Sequence, residues 1–191
     1  LNLRTEYPDI KYYRLSQESL NIKNVEKIEG SLMIRHFSAD TDLETMRIMA
    51  VWNDNHVQRY YYHRWNTDCA SLVTDFILER YNKLDAFTGG VIQEGSFIIP
   101  TYVIEGQIMD FFAYNHRDNS PDSNYVSVSL HATLTQKKEL SVESNLILTK
   151  TYNAKVSRPD NRVESIAPAF SRAAADIADQ LLKDISEELN N

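Results

Sequence analysis

The stretch from Ile166 to Leu189 restricts this chain more than any other. Ile166, Ala167, Phe170, Ala173, Ala174, Ile177, Ala178, Leu181, Leu182, Ile185 and Leu189 recur at steps of three and four, which places them on one side of an α-helix. A helix with one apolar stripe must bury it against a second layer. Pro168 is tolerated only in a first turn or at a kink, so the regular helix is predicted to begin near Ile166. The small residues Ala173, Ala174, Ala175 and Ala178 predict a close approach to a sheet.

That sheet is predicted from a period of two. Val126, Val128, Leu130, Ala132 and Leu134 alternate with Ser127, Ser129, His131 and Thr133, the pattern of a strand with one buried face. Strands at Tyr102 to Tyr114 and Leu146 to Val156 flank it, and the polar turn cluster Asn119-Ser120-Pro121-Asp122-Ser123 favours an antiparallel meander. Upstream, Lys11 to Leu15 and Ser31 to Phe37 read as strands. Arg47 to Trp52 and His56 to Trp65 read as a hairpin turning at Asn53-Asp54-Asn55. After Trp65 the period changes to three and four at Cys69, Leu72, Val73, Phe76 and Ile77, predicting a helix from about Thr67 to Tyr81 capped by Asn66 or Thr67. No linker or fixed-period repeat interrupts the chain. The expected fold is α+β: a single two-layer domain, an antiparallel-rich mixed sheet with two main helices packed on one face.

Composition narrows the function classes. With 191 residues, 42% of them hydrophobic, the chain can bury a real core. Its 20 Lys plus Arg against 27 Asp plus Glu leave a net charge of −7, which argues against a nucleic-acid partner. No apolar run approaches the roughly 18 to 20 residues of a membrane-spanning helix; the longest candidate, Phe97-Ile98-Ile99, is broken by Pro100. The single cysteine, Cys69, excludes an intramolecular disulfide framework and leaves the redox compartment open. An opening Leu1 without initiator Met or signal-like segment reads as a trimmed or mature form.

The residues offer few routes to chemistry. His63, Asp68 and Cys69 are the nearest approach to a base, orienter and nucleophile. Cys69, however, lies on the apolar stripe of the first helix, where an inert buried thiol is the usual outcome. The histidines at 36, 56, 63, 116 and 131 lack the paired spacing of a metal site. Gly89-Gly90 lacks the companions of a phosphate-binding or dinucleotide loop and reads as a turn or bulge. No catalytic residue, metal site or cofactor is expected. The run Tyr60-Tyr61-Tyr62 is the other notable feature. Strand alternation sends Tyr61 to one face with Val57, His63 and Trp65, and sends Tyr60 and Tyr62 to the other. Tyr60 and Tyr62, with Trp52, are therefore candidate partner or lipid contacts; cross-strand packing within the sheet is the alternative.

The order of pieces carries a resemblance. An opening Tyr-Tyr-x-Leu strand (Tyr12, Tyr13, Leu15), a hairpin closing on Arg64-Trp65, an amphipathic helix, a meander and an Ala-rich amphipathic helix follow one another. From about Lys11 to Ile185 this resembles the ABC-type transport auxiliary lipoprotein family, periplasmic partners of mammalian-cell-entry (Mce) lipid transport systems, similar to the lipoprotein of the paraquat-inducible operon. The resemblance implies residues 11–191 as the auxiliary domain and 1–10 as an extension toward an anchor. It implies a lipid-modified cysteine in the outer membrane of a Gram-negative envelope, and no catalytic residues. No cysteine precedes Cys69 here, so the lipidated residue is expected upstream of Leu1. The function expected is that of a non-catalytic, periplasm-facing docking component of a lipid or hydrophobic-compound transporter. Its partner would be an Mce-domain substrate-binding protein, with a homo-oligomer and lipid as further associations. The alternatives are a lipid carrier with an apolar cavity and, more weakly, a small thiol enzyme using Cys69 and His63.

Overall fold

The computed structural model describes residues 8–17, 26–52, 54–117, 123–137 and 144–190. Asn53, most of the turn at 119–123 and most of the extension at 1–10 lie outside them. The strands are β1 (Lys11–Tyr13), β2 (Leu32–Ile34), β3 (Ser38–Ala39), β4 (Arg47–Trp52), β5 (Val57–Trp65), β6 (Val91–Gln93), β7 (Tyr102–Asn115), β8 (Tyr125–Lys137) and β9 (Ser144–Ser157). The helices are α1 (Cys69–Lys83) and α2 (Ile166–Leu189).

β7 is the spine of the sheet. Along one side it pairs antiparallel with β8, which pairs antiparallel with β9, so the expected meander forms. Along its other side three short strands follow one another in parallel register: β2 at Leu32↔Tyr102, β3 at Ser38↔Gln107 and β4 at Ala50↔Ala113. β4 and β5 form the antiparallel hairpin, while β1 adds to β5 and β6 adds to β2 in parallel. The parallel pairs escape local reading because their partners come from distant parts of the chain, across crossover connections. At the centre Gly106 sits where a Cβ would stand 2.8 Å from the Leu130 side chain and 2.9 Å from the Phe37 ring. The absent side chain lets the Phe37 ring close onto the strand.

Both helices cover the same side of this sheet. α2 lies on β8 and β9, α1 lies near β3, β6 and β7, and the helices touch each other. Val126, Val128, Leu130, Ala132 and Leu134 all face the helices and are buried. One contiguous core joins them to Val73, Ile77, Phe170, Ile177 and Leu181. Two details differ from the local reading. Asp68, rather than Asn66 or Thr67, caps α1, accepting from the Ser71 amide at 2.9 Å and the Ser71 hydroxyl at 2.8 Å. Partial burial works against its charge, yet these bonds hold its carboxyl below the usual range. Ala174 and Ala175 pack with Phe76 of α1, so part of the small-residue set serves helix–helix approach instead of helix–sheet approach. There Arg80 donates to Asp179 at 2.7 and 2.8 Å, joining α1 to α2, and the Tyr81 hydroxyl donates to the Ala178 carbonyl at 2.8 Å.

Candidate functional site

β5 contains the aromatic run, and its geometry is set by a bulge. Met49 pairs with Arg59 but Arg47 pairs with Arg64, so β5 places Tyr60 to His63 opposite Ile48 alone. Such an insertion shifts the alternation and re-aims the side chains beyond it. Up to Tyr62 the alternation holds: Gln58, Tyr60 and Tyr62 are half-buried, and Val57, Arg59 and Tyr61 are exposed. Beyond it the expectation fails. Trp65, placed by alternation beside Val57 and Tyr61, turns into the core at 2% exposure and meets the Phe111 and Phe170 rings edge-on.

The candidate contacts therefore occupy different settings. Tyr60 packs against the core, and its hydroxyl accepts from Asn115 Nδ2 at 3.3 Å. Trp52 is half-buried and donates through Nε1 to Gln58 Oε1 at 2.8 Å. Tyr62 is half-buried against Tyr61, ring centroids 4.9 Å apart. The exposed member of the run is Tyr61. Two guanidinium groups flank its ring, Arg47 at 5.4 Å and Arg64 at 5.8 Å from the centroid, a cation–π arrangement. Arg64 Nε also donates to the Tyr61 carbonyl at 3.4 Å. Tyr12, Arg64 and Arg47 form one row across β1, β5 and β4. Arg59 was legible in the sequence as a cation beside this run, but its companions Arg47 and Tyr12 come from other strands.

A second surface lies at the start of β7. Between β6 and β7, Phe97 and Ile99 are 106% and 75% exposed, and Ile98 is exposed between them. The loop is shaped by Gly95 at φ +90° and by the Ile98 amide donating to Ser96 Oγ at 3.2 Å. Beneath it, Met33, Val103, Thr135 and Leu146 stand in register across β2, β7, β8 and β9 on the face away from the helices. A groove lined by Met33, Phe97, Ile99 and Val103, with Arg35 and Glu105 at its side, separates loop from sheet. The apolar triplet was visible in the sequence; its exposure was not, since an apolar run before a strand reads equally as core.

The thiol lies apart from these surfaces. Cys69 is buried and its Sγ lies 3.7 Å from the Leu43 carbonyl. Burial, helped by the neighbouring Asp68 charge, pushes the thiol up to about 12. His63 shares a hydrogen bond with the Tyr13 hydroxyl at 2.8 Å, and none joins it to Cys69. Among the described residues no three His, Cys, Asp or Glu side chains converge as a metal ion requires, and no helix is long and apolar enough to cross a membrane.

No family model matches the chain, and no curated protein matches it by sequence. Solved structures do match. A Xanthomonas campestris protein described as belonging to DUF330 shares the fold at a TM-score of 0.76, with 13% identity over 95% of this chain and 99% of that one. An uncharacterized protein matches at 0.66, with 8% identity over 93% of this chain and 99% of that one. The hypothetical protein CT253 from Chlamydia trachomatis matches at 0.57, with 9% identity over 84% of this chain and 99% of that one. At such identities the likeness is one of fold.

Proposed function

We propose that this chain is a non-catalytic, periplasm-facing auxiliary component of an ABC-type, Mce-associated lipid or hydrophobic-compound transport system. It acts by docking to the Mce-domain protein while a lipid anchor holds it at the outer membrane. The order of elements on which the family resemblance rests is the order found in the structure, and the fold is shared over 95% of the chain with a protein described as belonging to DUF330. The observation that carries the docking reading is the bare loop Phe97-Ile98-Ile99 above the strip Met33, Val103 and Leu146. Isolated surface apolar residues are ordinary, but a contiguous set on a loop tip marks an interaction site.

The carrier alternative needs an enclosed apolar cavity between helices and sheet. That space is occupied by Trp65, Phe111 and Phe170 in mutual ring contact and by Ile108, Leu130, Ile177 and Leu181 at 0% exposure, which favours docking over cargo storage. The test places a photo-crosslinking residue at Phe97 in cells that carry an Mce-domain protein. An adduct containing that protein supports the reading. Adducts with lipid alone, or none while the protein is folded and in the envelope, would overturn it. Phe97→Asp with Ile99→Asp should abolish capture without changing the melting temperature, since neither side chain touches the core.

A further inference from the structure

We infer that the edge of β5 from Val57 to Tyr62 is a docking strip for an acidic, extended segment of a partner protein, gripped by Arg47 and Arg64 against the Tyr61 ring and by Arg59 on the same exposed face. This rests on the docking reading above and adds a contact at a different place from the apolar loop.

The edge is open. β1 pairs with β5 only at His63, Arg64 and Trp65. Among the described residues no strand lies beyond β5 from Val57 to Tyr62. An unpaired edge presents a row of backbone donors and acceptors, the template on which an extended peptide adds as a further strand. Proteins commonly blunt such an edge with charge, and Arg59 alone would be explained that way. The charges here exceed that purpose. They are of one sign in a chain whose net charge is −7. Four other arginines are matched with carboxylates, Arg35 with Glu105, Arg80 with Asp179, Arg117 with Asp54 and Arg162 with Asp160, while Arg158 and Arg172 donate to backbone carbonyls. No ion pair among the described residues includes Arg47, Arg59 or Arg64.

Nor are Arg47 and Arg64 dispersed into solvent. Both are half-buried and lie against the same ring, so like charges are held close together, an arrangement that an incoming carboxylate relieves through charge-assisted, bidentate hydrogen bonds. A strand added to β5 would set alternate side chains beside Val57, Arg59 and Tyr61 on the exposed face. Carboxylates at alternate positions would then meet the guanidinium groups, while Tyr61, 57% exposed, supplies the aromatic anchor typical of interface hot spots.

The experiment titrates the whole protein with a labelled peptide alternating Glu with Val, and with two counterparts: Lys in place of Glu, and Pro in place of Val. The Glu-Val peptide should bind, shift the amide resonances of Val57 to Tyr62, and lose affinity as salt rises. Arg47→Gln with Arg64→Gln should weaken it about tenfold, and Tyr61→Ala should weaken it further. The Lys peptide should not bind. The Pro peptide, which keeps the charge but cannot complete a ladder, should lose most of the affinity. Should the double variant fail to fold, the salt response and amide shifts of the unaltered protein decide. Equal binding of the Pro or Lys peptide overturns the inference, and so does no binding. Preferential adsorption to phosphatidylglycerol vesicles, or concentration-dependent self-association through the same amides, overturns it as well. Failure here with Phe97 cross-linking intact would leave the docking reading standing; peptide binding without cross-linking would remove that reading and leave the strip.

Discussion

Phe111 of β7 and Phe170 of α2 stack with ring centroids 4.1 Å apart and planes inclined by 21°. Trp65 sets its ring edge-on to both, at 5.7 and 5.5 Å. This cluster joins the end of the hairpin, the spine strand and the terminal helix. Phe170→Ala should cost about 3 to 5 kcal/mol, and Leu181→Ala about 2 to 5 kcal/mol. Denaturant unfolding measures both, and a loss below about 0.5 kcal/mol at both positions would show that α2 presents a different side to the sheet.

Arg80 and Asp179 make the second prediction. The Arg80 side chain is 2% exposed and that of Asp179 48%, so removing the carboxylate takes a bidentate counter-charge away from a buried guanidinium. Asp179→Ala should destabilise by about 1 to 3 kcal/mol, at the lower end because Asp179 is partly solvated. Glu79→Ala, which removes the exposed partner of Lys83, should cost only about 0.3 to 0.5 kcal/mol.

Cys69 should resist native alkylation at neutral and mildly alkaline pH and react once the chain is unfolded. Its alkaline linkage has a definite sign. In the unfolded chain the thiol ionises at about pH 8.5, while in the folded protein burial pushes it up to about 12. The folded state thus keeps a proton that the unfolded state releases. Stability is fully present below the lower value and declines as pH rises between the two. The decline approaches about 1.4 kcal/mol per pH unit from this group. Unfolding measured against pH should show a shallower alkaline loss in Cys69→Ala, with the remaining slope carried by groups such as Tyr81, whose burial also raises its ionisation. Rapid native alkylation would revive a thiol enzyme.

The three tyrosines should separate packing from recognition. Tyr60→Ala, alone or with Tyr62→Ala, should lower the melting temperature, because Tyr60 packs on the core and holds Asn115. Each kcal/mol lost should appear as about 2 to 4 °C for a domain of this size. Tyr61→Ala should leave the melting temperature nearly unchanged. Thermal melts of the three variants check this directly; a large fall for Tyr61→Ala would make its ring structural.

The elements were legible wherever residues answer to their own neighbours. Steps of three and four from Ile166 to Leu189, and strict alternation from Val126 to Leu134, reflect the 3.6 and 2.0 periods of helix and strand. Each gave an element close to its observed bounds, and with it the two-layer α+β class. Pro168 marked the first turn of α2 because its missing amide costs nothing there. The triplet Phe97-Ile98-Ile99 was equally readable as apolar.

Tertiary structure alone decided what those elements face. Parallel addition of β2, β3 and β4 to one side of β7 joins segments far apart in the chain, and loop-closure entropy is repaid there only by the whole sheet. The bulge opposite Ile48 turned Trp65 inward and left Tyr61 outward, reversing their expected kinship, because a local period cannot register an insertion that only the partner strand defines. Burial of Tyr60, exposure of Phe97 and the convergence of Arg47 and Arg64 on one ring belong to the same class. Periodicity fixes which residues share a side; what covers that side depends on elements whose place is settled only when the core closes.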